Sequence, residues 1–244
     1  MTSKCIELVF VLLLVTQSLQ QTQDVYGLIN VLYLKADANR NGEITLAELT
    51  TIYHGFDQNS DQKITQKEFA TVWQSITQMT RDVTNAYFHL VDFDQNNVIE
   101  NNDINKLYLR FDLNNNGMVE AEEFNLKWQS IYKEVPFTVL FLRADVNKNG
   151  YLTQKGFINL LHTFDTDNNL SISKQELETG WFKEKFGHIK EADYLFNGLN
   201  KDGTGGISAD DMTKVFKQYD VSHNNKMEIL EIIEMRSLTG PTQG

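Results

Sequence analysis

The feature that most constrains this chain is a twelve-residue polar loop written eight times in one register. The loops begin at Asp37, Asp57, Asp92, Asp112, Asp145, Asp165, Asn200 and Asp220. Each carries an oxygen-bearing side chain at its first, third and fifth places and an apolar residue at its eighth. All but the fifth loop end in an acid. Asn, Asp and Gly form turns without any ion, so one such loop would say little. Eight in phase point to oxygen ligands spaced around a hard cation such as Ca²⁺.

The same starts reveal a duplication. Loops 1 to 4 recur as loops 5 to 8 at a constant offset of 108 residues, and the flanks agree: Val31-Leu-Tyr-Leu-Lys-Ala-Asp37 matches Val139-Leu-Phe-Leu-Arg-Ala-Asp145. His54 matches His162, and Trp73 matches Trp181. A repeat found this way outranks any local reading of secondary structure. It predicts a first half over 19–135 and a second over 136–244, with Pro136 starting a new helix at the join.

Between the loops the apolar period is helical. Leu49, Ile52, Tyr53 and Phe56 fall on one face, as do Ile104, Leu107, Tyr108 and Phe111. Loops 1 and 2 start only 20 residues apart, which leaves no room for two helices and a turn. One helix of about 16 Å, from Leu46 to Phe56, must leave the first loop and enter the second. The expected fold is therefore all-α, two tandem four-loop halves with helices shared between closely spaced loops. The eighth residues offer short β contacts: Ile64 with Ile99, Val119 with Leu152, Ile172 with Ile207, and Ile44 left over with Met227. That scheme makes the middle pair a bridge between the halves. Trp73, Trp128 and Trp181, each five residues after a loop's final acid, are expected to fill the core.

At the N-terminus, Lys4 precedes eight continuous apolar residues, Leu8 to Val15. That run is too short to span a bilayer and fits a secretory leader, residues 1–18, with cleavage after Ser18 or Gln20. Secretion to the extracellular space follows as the expectation. Cys5, the sole cysteine, would leave with the leader, so thiolate metal sites and disulfides are excluded from the mature chain. The net charge of −11 argues against nucleic acid, which needs basic patches. No other stretch approaches membrane-spanning length.

Taken with their glycines and terminal acids, the loops resemble those of the EF-hand calcium-binding superfamily, and the resemblance covers nearly all of 24–237. It implies ligands from places 1, 3 and 5, a backbone carbonyl at place 7, place 9 often through water, and a two-oxygen acid at place 12, with a turn at place 6 that favours glycine. In loop 1 these are Asp37, Asn39, Asn41, Glu43 and Glu48, with Gly42 at the turn. In loop 4 they are Asp112, Asn114, Asn116, Met118 and Glu123, with Gly117. Loop 2 offers Asp57, Asn59, Asp61, Lys63 and Glu68 but has Gln62 at the turn. Loop 6 offers Asp165, Asp167, Asn169, Ser171 and Glu176 with Leu170 there. Loop 8 offers Asp220, Ser222, Asn224, Lys226 and Glu231 with Asn225.

Loop 3, with Asp92, Asp94, Asn96, Val98 and Asp103, ends in an acid one methylene shorter, which makes two-oxygen clamping harder and lets Mg²⁺ compete better. Loop 7 (Asn200 to Asp211) starts neutral and is left off the ligand set. Loop 5 ends in Gly156 and lacks its clamp. Many ligands are amides rather than acids, which suits extracellular sites with dissociation constants of roughly 10⁻⁴–10⁻³ M.

The implied role is a secreted calcium-binding protein acting as buffer, carrier or matrix component, with an extracellular protein or mineral matrix as partner. A calcium-dependent interaction module is the alternative, and a photoprotein-type small-molecule binder a further one. No nucleophile, nucleotide loop or acid–base pair marks an enzyme, and the five scattered histidines form no zinc motif.

Overall fold

The computed structural model describes residues 25–77 and 79–240. The expected leader at 1–18 lies outside them. The chain divides into two compact units between Gln129 and Ser130.

In the first unit the helices are α1 (Val25–Ala36), α2 (Leu46–His54), α3 (Gln66–Thr77), α4 (Arg81–Val91) and α5 (Asn101–Phe111). Helix α6 (Ala121–Ala144) begins there and runs through the division. The second unit continues with α7 (Gln154–Leu161), α8 (Lys174–Lys183), α9 (Ile189–Leu199), α10 (Ala209–Tyr219) and α11 (Ile229–Glu234). The strands, two or three residues each, are β1 (Glu43–Ile44), β2 (Ile64–Thr65), β3 (Val98–Ile99), β4 (Val119–Glu120), β5 (Tyr151–Thr153), β6 (Ile172–Ser173), β7 (Gly206–Ile207) and β8 (Lys226–Glu228). The predominantly helical character and the single helix between close loops match the sequence-based expectation.

Pro136 is a correction. It lies inside α6 rather than at the start of a helix. An interior proline costs about 3 kcal/mol. The flanking apolar run offsets that cost, because Ile131, Val135, Phe137, Val139, Leu140 and Phe141 are all buried.

The loop pairing is a second correction. Strand β1 pairs with β4 and β2 with β3; β5 pairs with β8 and β6 with β7, all antiparallel. Ile64–Ile99 and Ile172–Ile207 meet as expected. Ile44 meets Val119, and Leu152 meets Met227, in place of the expected Val119–Leu152 and Ile44–Met227 pairs. The reason is equal length. Ile44 to Ile64 and Ile99 to Val119 are both 20 residues. Once β2 and β3 pair at one end of α2 and α5, the far ends of two segments of equal sequence length bring β1 and β4 together. The same equality, Leu152 to Ile172 and Ile207 to Met227, closes the second unit. There the Gln154 amide also donates to the Thr213 hydroxyl at 3.0 Å, tying α7 to α10.

Aromatic rings fill the first unit. Phe56 stacks on Phe69 at 5.1 Å, Phe69 on Trp73 at 5.5 Å, and Trp73 on Trp128 at 6.3 Å. In the second unit Trp181 is 1% exposed and meets Phe186 edge-on at 5.2 Å. Trp73 and Trp181 are buried as expected. Trp128 is half-buried, and all three indole N–H groups lack a hydrogen-bond partner.

Candidate metal centres

Each loop is wound by its own side chains. In loop 1, Asp37 accepts the N–H groups of Asn41 at 3.0 Å and Gly42 at 2.8 Å. Asn39 accepts from Asn41, and Asn41 accepts from Glu43. Glu48 then joins the two ends. Its Oε1 accepts from Ala38 and Asn39, and its Oε2 from the Thr45 N–H and hydroxyl. Thr45 in turn caps α2 by accepting the Glu48 N–H at 3.3 Å. Places 9 and 12 are therefore also the two ends of a helix capping box. The spacing expected to clamp an ion is also the spacing that starts the next helix.

The plan repeats. Asp112 and Glu123 hold loop 4 through Asn116, Gly117, Leu113, Asn114 and Glu120. Asp57 and Glu68 hold loop 2, Asp165 and Glu176 loop 6, and Asp220 and Glu231 loop 8. The first-place acids Asp37, Asp92, Asp112, Asp145, Asp165 and Asp220 are buried. Burying them is tolerable because their oxygens accept backbone N–H groups.

Two left-handed residues bend most loops. Place 6 is left-handed at Gly42 (φ 87°), but also at Gln62 (69°), Asn97 (67°), Leu170 (66°) and Asn225 (59°). Place 4 is left-handed as well, at Arg40, Ser60, Gln95, Asn115, Lys148, Asn168, Gly203 and His223. This second bend had no glycine to signal it, except Gly203.

The short terminal acid of loop 3 still reaches both ends: Asp103 accepts from Phe93 at 3.1 Å and Glu100 at 3.0 Å. Asp211 does the same in loop 7, accepting from Lys201, Asp202 and Ser208. Loop 5 has no such bridge. Gly156 stands at its twelfth place, and Thr153 caps α7 with one bond from the Gly156 N–H at 3.2 Å.

The arrangement fits a calcium ion. Oxygens about 2.4 Å from a shared ion lie within about 4.8 Å of each other. Asp92, Asp94 and Asp103 each place a carboxylate oxygen within 4.8 Å of the other two, and so do Asp165, Asp167 and Glu176. Asp57, Asp61 and Glu68 do not form such a group among the described residues. In loops 1 and 4 the ligand set relies on the amides of Asn39, Asn41, Asn114 and Asn116. Some amide nitrogens lie on carboxylates, as Asn116 on Glu120 at 2.8 Å and Asn224 on Glu228 at 2.9 Å. The place-7 residues Glu43, Lys63, Val98, Met118, Ser171 and Lys226 all lie at or beside the short strands, where a backbone carbonyl can serve.

The electrostatics follow from these bonds. The N–H of Ser173 chiefly holds Glu176 down at about 2, against burial, with help from the Ser173 hydroxyl and Thr166. Glu68 is lowered first by the Thr65 N–H. In Glu48, burial opposes the charge, yet the bonds from Thr45, Asn39 and Ala38 together keep its carboxyl below the usual range. Asp92 moves the other way, raised by burial and by the neighbouring charge of Asp103.

Two tyrosines hold the loops without a signal in the sequence, where Tyr33 stands only in the repeated flank and Tyr108 only on an apolar helix face. Tyr33, four residues before loop 1, donates to the Gly42 carbonyl. Tyr108, four residues before loop 4, lies 2.7 Å from the Gly117 carbonyl and 3.1 Å from the Ile44 carbonyl. Only the four-residue offset could have flagged them.

A family model described as EF hand matches residues 34–53 and 109–126, the regions of loops 1 and 4. These matches support the EF-hand superfamily and calcium binding in general. No curated protein is significantly similar to the chain. One solved structure, the crystal structure of a C-terminal domain, is 15% identical over 97% of this chain and 90% of that one, with a TM-score of 0.24. A likeness that loose carries no argument. Among the described residues, no helix is long and apolar enough to cross a membrane.

Proposed function

We propose that this chain is a secreted, non-catalytic calcium-binding protein that holds Ca²⁺ ions in four to six of its eight EF-hand loops. It acts as an extracellular buffer, carrier or matrix component, with an extracellular protein or mineral matrix as partner. The observation that carries the reading is the convergence of Asp92, Asp94 and Asp103, and of Asp165, Asp167 and Glu176, at ion-sized separation. Loops 1, 2, 4 and 8 supply further sites through the ligands named above, and the Asp-ended loop 3 takes Mg²⁺ more readily than the rest. When bound, the ion supplies charge neutralisation and cross-linking of the loop ends. The chain's own acids and amides orient toward it and exclude water from its buried side.

Calorimetric titration with Ca²⁺ and Mg²⁺ tests this. Four to six bound Ca²⁺ per chain are expected. Protein that emerges ion-free from dialysis against millimolar Ca²⁺ would overturn the reading. A hydrophobic dye that brightens when Ca²⁺ is added would favour an interaction module over a buffer.

A further inference from the structure

Tyr108 sits where two loops meet. It is 5% exposed, on the shared helix α5. Its hydroxyl lies between the Gly117 carbonyl of loop 4, at 2.7 Å, and the Ile44 carbonyl of loop 1, at 3.1 Å. Ile44 and Val119 are the paired residues of β1 and β4, and Gly117 is two residues before Val119. One hydroxyl therefore touches both loops of a pair.

The two carbonyls flank the ligand positions. Gly117 O belongs to the peptide just before Met118, whose own carbonyl is the place-7 ligand. Ile44 O belongs to the peptide just after the one bearing the Glu43 carbonyl. The peptide that precedes each place-7 carbonyl is also held by its N–H. Glu43 N–H donates to Asn41 at 3.0 Å, and Met118 N–H donates to Asn116 at 2.8 Å. Tyr33 donates to the Gly42 carbonyl of loop 1. The orientation of both place-7 carbonyls is thus set by side chains that donate to their neighbours. The second unit has Phe141 and Phe216 at the corresponding positions, and phenylalanine has no hydroxyl to offer.

We infer that Tyr108 is a positioning residue that links ion capture in loop 1 to ion capture in loop 4. The inference rests on the calcium reading proposed above. A single proton is shared between two acceptors, so a shift of either carbonyl on ion binding changes the bond the other receives. The arrangement is confined to the first unit, whose paired loops carry it and whose counterparts do not.

The test follows Ca²⁺ titration of the full chain by NMR at the Gly42 and Gly117 amides. Each of these N–H groups donates to the first acid of its loop, at 2.8 and 2.9 Å, so each reports one site. Tyr108→Phe removes only the hydroxyl. The loss of one buried hydrogen bond is expected to raise both midpoints together by about fivefold and to make both transitions less steep. The Asn225 amide of loop 8 is the internal control and should not move. In chelator, hydrogen exchange at Ile44 and Val119 should quicken in the variant, a readout that needs no ion.

Unchanged midpoints, or a change at Gly117 alone, overturn the inference while leaving the calcium reading intact. Glycine signals that ignore Ca²⁺ in the Tyr108 protein itself overturn both.

Discussion

At the scale of single residues, the loops combine ligand chemistry with backbone demands, and the two can be separated by substitution. Leu170 is 71% exposed and left-handed at φ 66°. A side chain there is strained and gains little from burial, so Leu170→Gly should stabilise the fold by about 0.5–1 kcal/mol, read as a raised midpoint in thermal unfolding. Gly156 poses the opposite case. A Cβ there would meet Thr153 Oγ1 at 3.5 Å and Leu152 Cβ at 3.7 Å, ordinary contact distances. Gly156→Glu should restore the missing bridge in loop 5 and raise calorimetric stoichiometry by one ion. It should also strengthen α7 by about 1 kcal/mol through helix propensity and capping.

Glu176 makes the pH prediction. Its carboxyl is depressed from 4.5 to about 2 in the fold, so its contribution is present above pH 4.5 and is lost as pH falls toward 2. Glu176→Gln should flatten the acid limb of the unfolding curve over that window, followed by circular dichroism. The side chains that wind and close the loops were legible in the sequence because Asp, Asn and Glu recur at fixed places. The left-handed fourth places were not, because Arg40, Gln95 or Lys148 carries no local signature of that bend.

At the scale of elements, one stretch of chain does two jobs. Thr45 to Glu48, and Ser173 to Glu176, close a loop and cap a helix at once. The shared helices were readable from the 20-residue spacing, since no second helix fits. The pairing was not, because the spacing between consecutive loops does not show that the two 20-residue segments lie side by side with both ends in register. That equality is testable. One extra residue after Thr50 in α2 advances the helix by about 1.5 Å and turns it by about 100°. It cannot then satisfy Ile44–Val119 and Ile64–Ile99 together. The variant should bind fewer ions and lose near-ultraviolet aromatic signal from the Phe56–Phe69–Trp73 stack. A lengthened α2 with unchanged stoichiometry would contradict the closed arrangement.

At the scale of the whole molecule, stability should track the ion. Each site with a dissociation constant near 10⁻⁴ M adds roughly 1.5 kcal/mol in millimolar Ca²⁺, through preferential binding to the folded state. Differential scanning calorimetry should therefore show a transition that rises with Ca²⁺ and falls with a chelator. The acidic balance of 33 carboxylates against 22 basic groups points the same way, since like charges gathered in loops repel until a cation arrives.

The two doubly paired loop segments of the first unit carry a last consequence. Its four loops are held in a circuit, each by a helix on one side and a strand on the other, so the short connection between Thr77 and Arg81 is not what keeps loops 2 and 3 together. If that connection were cut by a protease, the severed pieces would each expose two unsatisfied strand edges of matching spacing. They should recognise one another and co-elute as a noncovalent complex, much as a clasp closes without its hinge.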